Sequence, residues 1–119
     1  MIKLNAQQKK VLTTFPKFED LQIAQLKKDP EYLRAYVRVA LEDYAKDKNI
    51  EILKHALGIV VRALGATKVS KQIKVDRSGL YKSFTPMGNP SFDTVCGILD
   101  MAGIELTIKN STLPARNRY

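Results

Sequence analysis

The 119 residues suit one domain, and an apolar content of 45% is enough to build its core, which excludes a wholly disordered chain. No apolar run approaches the ~20 residues that span a bilayer, and "MIKLNAQQKK" has no apolar stretch behind its charges, so neither a membrane anchor nor a secretory leader is expected. The net charge of +8 favours a polyanionic partner, nucleic acid before an anionic membrane surface.

Residues 1–28 read as a basic N-terminal extension carrying six Lys against Glu19 and Asp20. Phe15-Pro16 breaks any helix there, and "FEDLQIAQL" is at most a short helix with Phe18, Leu21 and Leu26 available for docking. A longer helix then begins at Asp29 as N-cap with Pro30 in its first turn. Tyr32, Leu33, Tyr36, Val37, Ala40, Leu41 and Tyr44 recur along it at helical period. Glu42 and Asp43 lie on its wet side. A second helix carries Ile52, Leu53, Ala56, Leu57, Val60, Val61 and Leu64 in the same pattern and stops at Gly65.

The next stretch, "VSKQIKVDRSGLYKSF", does not fit one helix. Val69, Ile73 and Leu80 share a stripe, but Val75 falls roughly 140° from its middle at ~100° per residue. A cut at Lys74–Asp76 repairs the pattern. One helix, from Lys68 to about Ile73, buries Val69 and Ile73. Another, from Arg77 to about Phe84, buries Leu80 and Phe84, with Asp76 as its N-cap. Ser70 is small where the two cross, so the unit reads as a helix-turn-helix. Residues 66–85 carry five cations against Asp76 alone, whereas residues 29–65 balance to zero. The charge is patterned.

The second helix of such a unit lies in the DNA major groove, its first turn facing base edges. Its outward positions here are Arg77, Ser78, Tyr81 and Lys82. Arg suits a bidentate bond to guanine, while Lys and Tyr more often meet phosphates. Beyond it, "TPMGNPS" is a loop, and Ser91 caps "FDTVCGILDMA", whose Phe92, Val95, Ile98, Leu99 and Ala102 make one more apolar face ended by Gly103. "IELTI" (104–108) alternates as a short β-strand does. A lone strand needs a partner, either its own copy in a dimer or another chain. Residues 110–119 read as a mobile basic tail. The expected fold is all-α: a bundle of about five helices with a helix-turn-helix and a short C-terminal β-strand.

The run from "YLRAYVRVALEDY" through "RSGLYKSF", "GNPSF" and "ILDMAGIELTI" resembles the addiction-module antidote family, HigA-type antitoxins and related regulators with a lambda-repressor-like helix-turn-helix. The resemblance covers about residues 29–109. It implies a DNA-binding domain over that range, binding to the module's own operator, a homodimer, and neutralisation of a small RelE/HigB-like toxin. By matching position it gives base reading to Arg77, Ser78, Tyr81 and Lys82. Phosphate anchoring falls to Thr67, Lys68 and Lys71, with Asn89 and Ser91 touching backbone from the following loop. The sequence departs from the family at Lys74, where the turn usually holds Gly. Lys at a left-handed position costs roughly 1 kcal/mol, so a slightly rebuilt turn is expected.

Nothing else competes as chemistry. A single Cys96 and a single His55 exclude an internal disulfide, zinc fingers and Cys/His catalysis, and they fit a reducing, cytoplasmic setting. His55, between apolar neighbours, and Cys96, beside Val95, read as structural. Adjacent Glu42 and Asp43 point to different helix faces and cannot pair as catalytic carboxylates, though they offer acidic groups to a basic toxin. No glycine spacing makes a phosphate-cradling loop. The expectation is therefore a non-enzymatic DNA-binding regulator without a cofactor or metal and without membrane contact. The alternatives are a stand-alone regulator with no toxin, and a helical protein-interaction adaptor.

Overall fold

The computed structural model describes residues 18–112, which form six helices. These are α1 (Phe18–Lys28), α2 (Pro30–Asp47), α3 (Ile50–Leu64), α4 (Ala66–Ile73), α5 (Arg77–Ser83) and α6 (Phe92–Met101). No helix among them is long and apolar enough to cross a membrane. The class is all-helical as expected, with one helix more than the five anticipated.

Local chemistry sets the boundaries. The Asp29 carboxylate accepts from the amides of Glu31 and Tyr32 at 3.1 and 3.2 Å, and Pro30 follows it in the first turn. Lys48, at φ 58°, closes α2 by donating its amide to the Tyr44 carbonyl at 2.8 Å. Asn49 opens α3 by accepting from the Ile52 amide. Gly65 alone joins α3 to α4, and its φ of 96° suits glycine and few other residues.

The core is built around α3. Leu57, Val60 and Val61 are at most 2% exposed, and α1, α2, α4 and α6 all pack on this helix. The stripe read from the sequence holds, except that Ile52 at its first turn is 58% exposed. Tyr32, Tyr36 and Tyr44 pack half-buried against the core. Burial, with smaller contributions from Tyr32 and Glu19, pushes the Tyr36 phenol above its ordinary value, so it stays neutral.

Three sequence expectations need correction. The segment before residue 29 is not outside the bundle, because α1 buries Leu26 in the same cluster as Leu33, Val37 and Val60. Its docking residues are Leu26 and Ile23, whereas Phe18 and Leu21 are 82% and 56% exposed. The Arg62 guanidinium, 3.2 Å from Glu19 Oε1, also ties α3 to α1. Residues 1–17 and 113–119, with most of the basic extension and tail, lie outside the described residues. Residues 104–108 form no β-strand: beyond the Ile104 amide, which donates to Leu99, residues 105–110 make no backbone hydrogen bond with a described residue. The alternating pattern is real, but a ladder needs a second strand, and none is present among the described residues. His55, read as structural between apolar neighbours, faces solvent.

A close crossing positions α4. A Cβ added to Gly97 on α6 would lie 2.5 Å from Ile73 Cγ2, so only glycine lets α4 approach this near. Gly97→Ala is expected to cost about 1–3 kcal/mol by overpacking. Its effect should be less than additive with Ile73→Ala, which removes the obstructing methyl; urea denaturation of the three variants checks both points.

Candidate nucleic-acid interface

The turn between α4 and α5 is the one the sequence implied. Lys74 takes the left-handed conformation, φ 59° and ψ 43°. Its amide and that of Val75 both donate to the Ser70 carbonyl, the latter at 3.0 Å, closing the α4 terminus as a glycine would. The rebuilt turn expected from Lys74 is therefore absent; the residue bears the strain instead. Asp76 Oδ2 then accepts from the Gly79 amide at 3.2 Å and starts α5. Val69 and Leu80 are 0% exposed, while Ile73, Val75 and Phe84 are partly buried against them.

Anchored by Leu80, α5 turns its other side outward. Arg77, Ser78 and Lys82 are exposed, and Tyr81 is 38% exposed. The Arg77 guanidinium lies 5.9 Å from the Tyr81 ring centroid, so these two share one contact surface. On α4, Thr67, Lys68 and Lys71 are exposed at positions i, i+1 and i+4. Lys68 lines a shallow groove with Lys27 of α1 and Arg34 of α2, cations that sequence reading left out of the site. Their signal, a basic last turn in α1 and a cation four residues after Pro30, is visible only once the helices are placed. Asn89 is exposed in the loop. Ser91, exposed at the end of the same loop, caps α6 as the sequence indicated: its hydroxyl accepts from the Thr94 amide at 3.1 Å and donates to Thr94 Oγ1 at 3.0 Å.

The loop after α5 is held from below by Lys54. This ammonium, with a side chain 6% exposed, sits 2.9 Å from Glu51 Oε1 and donates to the carbonyls of Pro86 at 3.3 Å and Gly88 at 3.0 Å. All three of its donors are thus used. Thr85 Oγ1 donates to the Lys82 carbonyl at 2.8 Å, and a Cβ on Gly88 would collide with that same oxygen. The loop is folded back on the end of α5.

Residues 17–110 match the model of a family described as probable addiction module antidote protein. The chain belongs to this family. The match starts one residue before α1, consistent with α1 being part of the bundle. Membership in the antidote family points to an antitoxin role, and so to a toxin partner in general. Similar to this chain is an uncharacterized protein of Haemophilus influenzae, 27% identical over 93 residues, covering 78% of this chain and 92% of that one. No solved structure matches.

Two substitutions probe what holds this face. Lys74→Gly relieves the left-handed strain and is expected to raise stability by up to about 1 kcal/mol. Lys54→Met leaves the Pro86 and Gly88 carbonyls without a charged donor and is expected to cost about 1–3 kcal/mol. Chemical denaturation measures both, and the signs are opposite.

Proposed function

We propose that this antidote is a non-enzymatic, sequence-specific DNA-binding regulator with a lambda-repressor-like helix-turn-helix. In this reading it is a HigA-type antitoxin that dimerises on its own operator, represses its operon in the cytoplasm and neutralises a small RelE/HigB-like toxin.

The observation that carries the reading is the build of α5. A seven-residue helix is fixed to the body through Leu80 and leaves Arg77, Ser78, Tyr81 and Lys82 open to solvent. A helix so short has too little hydrogen bonding to persist alone. The body holds it at a fixed angle, which is what docking a first turn into a major groove requires. Arg77 is the base reader, suited to the two acceptors of guanine, and Tyr81 holds its guanidinium from one side. Thr67, Lys68 and Lys71 anchor phosphates, which gives affinity without sequence information. Asn89 reaches the backbone from the loop that Lys54 secures, while Ser91 acts through the cap. Two copies place their second helices in successive major grooves, ~34 Å apart. Exposed Glu42 and Asp43 on α2 are acidic groups for a basic toxin.

Fluorescence anisotropy with DNA from just upstream of the gene tests this reading. Binding should weaken steeply with salt. Arg77→Ala should lose preference for that sequence, a change of about 1–3 kcal/mol in discrimination. Lys68→Ala should weaken all sequences alike and lower the salt slope by about 1. No binding at low salt would sink the DNA-binding reading, leaving the family's toxin-directed role. Co-purification with the product of a small neighbouring reading frame tests the toxin.

A further inference from the structure

We infer that residues 104–110 are the strand-exchange seam of the homodimer, pairing antiparallel with the same residues of a second copy about a twofold axis through Thr107. This rests on the dimeric reading above and adds its surface and register.

Gly103, at φ 79°, closes α6: its amide donates to Asp100 and that of Ile104 to Leu99. Residues 105–110 then leave the helix with no backbone hydrogen bond to a described residue, directly after a fixed cap. Leu106 is 48% and Ile108 94% exposed, whereas Ile104 packs on the core and pins the start of the segment. Residues 104–107 border a groove of about 940 Å³ whose other wall is α2, with Arg34, Arg38 and Leu41. One edge of the segment therefore has room for another strand.

The sequence itself selects the occupant and the register. A parallel second copy would set Glu105 against Glu105 and Lys109 against Lys109, which like charges oppose. An antiparallel copy centred on Leu106 would set Lys109 against Gly103, which is already committed to the helix cap. Centred on Thr107, Glu105 meets Lys109 twice, Leu106 meets Ile108 twice, and Thr107 meets itself. One face is then charge-paired and the other wholly apolar at its centre, so the segment is complementary to itself. Pairing also satisfies the open backbone groups and covers the most exposed aliphatic side chain of the segment.

The test is charge reversal, read as the dimer dissociation constant of the full chain by sedimentation equilibrium. Glu105→Lys and Lys109→Glu each create two like-charge pairs and should weaken the dimer roughly tenfold or more. The double variant restores opposite charges and should return to within about threefold of wild type. Mixing the two single variants should yield heterodimers in preference to either homodimer, which a merely structural role for these residues does not explain. In a Cys96→Ser background, Thr107→Cys should oxidise to a covalent dimer far more readily than Leu106→Cys, since only position 107 faces itself. A dimer indifferent to all four changes overturns the seam while leaving the dimeric reading intact. A chain monomeric at every concentration overturns both.

Discussion

Two helices of eight and seven residues cannot hold themselves together in water, and this constraint governs the molecule. Everything around α4 and α5 compensates for it. Val69 and Leu80 are withdrawn wholly from solvent, and α3 supplies the apolar wall behind α4. Gly97 lets α6 come close enough to clamp Ile73. The outward residues of α5 are thus presented by a body several times larger than the helix itself. Their orientation depends on packing at positions that never reach the surface.

Charge is used in two opposite ways. Among the described residues it is plentiful at the surface and mostly unpaired, with Lys68, Lys71, Arg77 and Lys82 open to solvent. Inside, one ammonium is buried and fully satisfied by a carboxylate and two loop carbonyls. Burying a charge is costly unless its partners are in place, so Lys54 makes the loop conformation a condition of folding α3.

The parts of the fold legible in the sequence were those with a local cause. The helix break was readable because Val75 falls off the stripe and Asp76 is a strong capping residue. Asp29, Pro30 and Ser91 marked helix starts through their own side chains. What failed needed distant partners. Lys54 reads as a wet residue, although it shares a helix face with Leu57 and Val61, and that coincidence is the signal a reader can use. Gly97 reads as a mild flaw in a helix; only the approach of Ile73 shows why no side chain is there. Phe18 and Leu21 look like better docking residues than Ile23, yet the angle at which α1 meets α3 turns them outward. The alternation at 104–108 carries strand propensity but no address for the partner strand. For the candidate interface, periodicity was enough to mark Arg77, Ser78, Tyr81 and Lys82 as outward. It was not enough to bring Lys27 and Arg34 beside Lys68.

The grip of Lys54 on the loop has a consequence in time as well as in space. The same few residues cover the ammonium, press against the Lys82 carbonyl and cap the end of α5. None of these can let go singly without leaving another unsatisfied. Loop and helix end should therefore open as one cooperative unit, with amides from Leu80 to Gly88 exchanging their hydrogens at a common rate, slower than the exposed loop composition suggests. A surface meant to keep one shape while partners come and go gains persistence from such an arrangement, because its weakest segment is latched to its most buried charge.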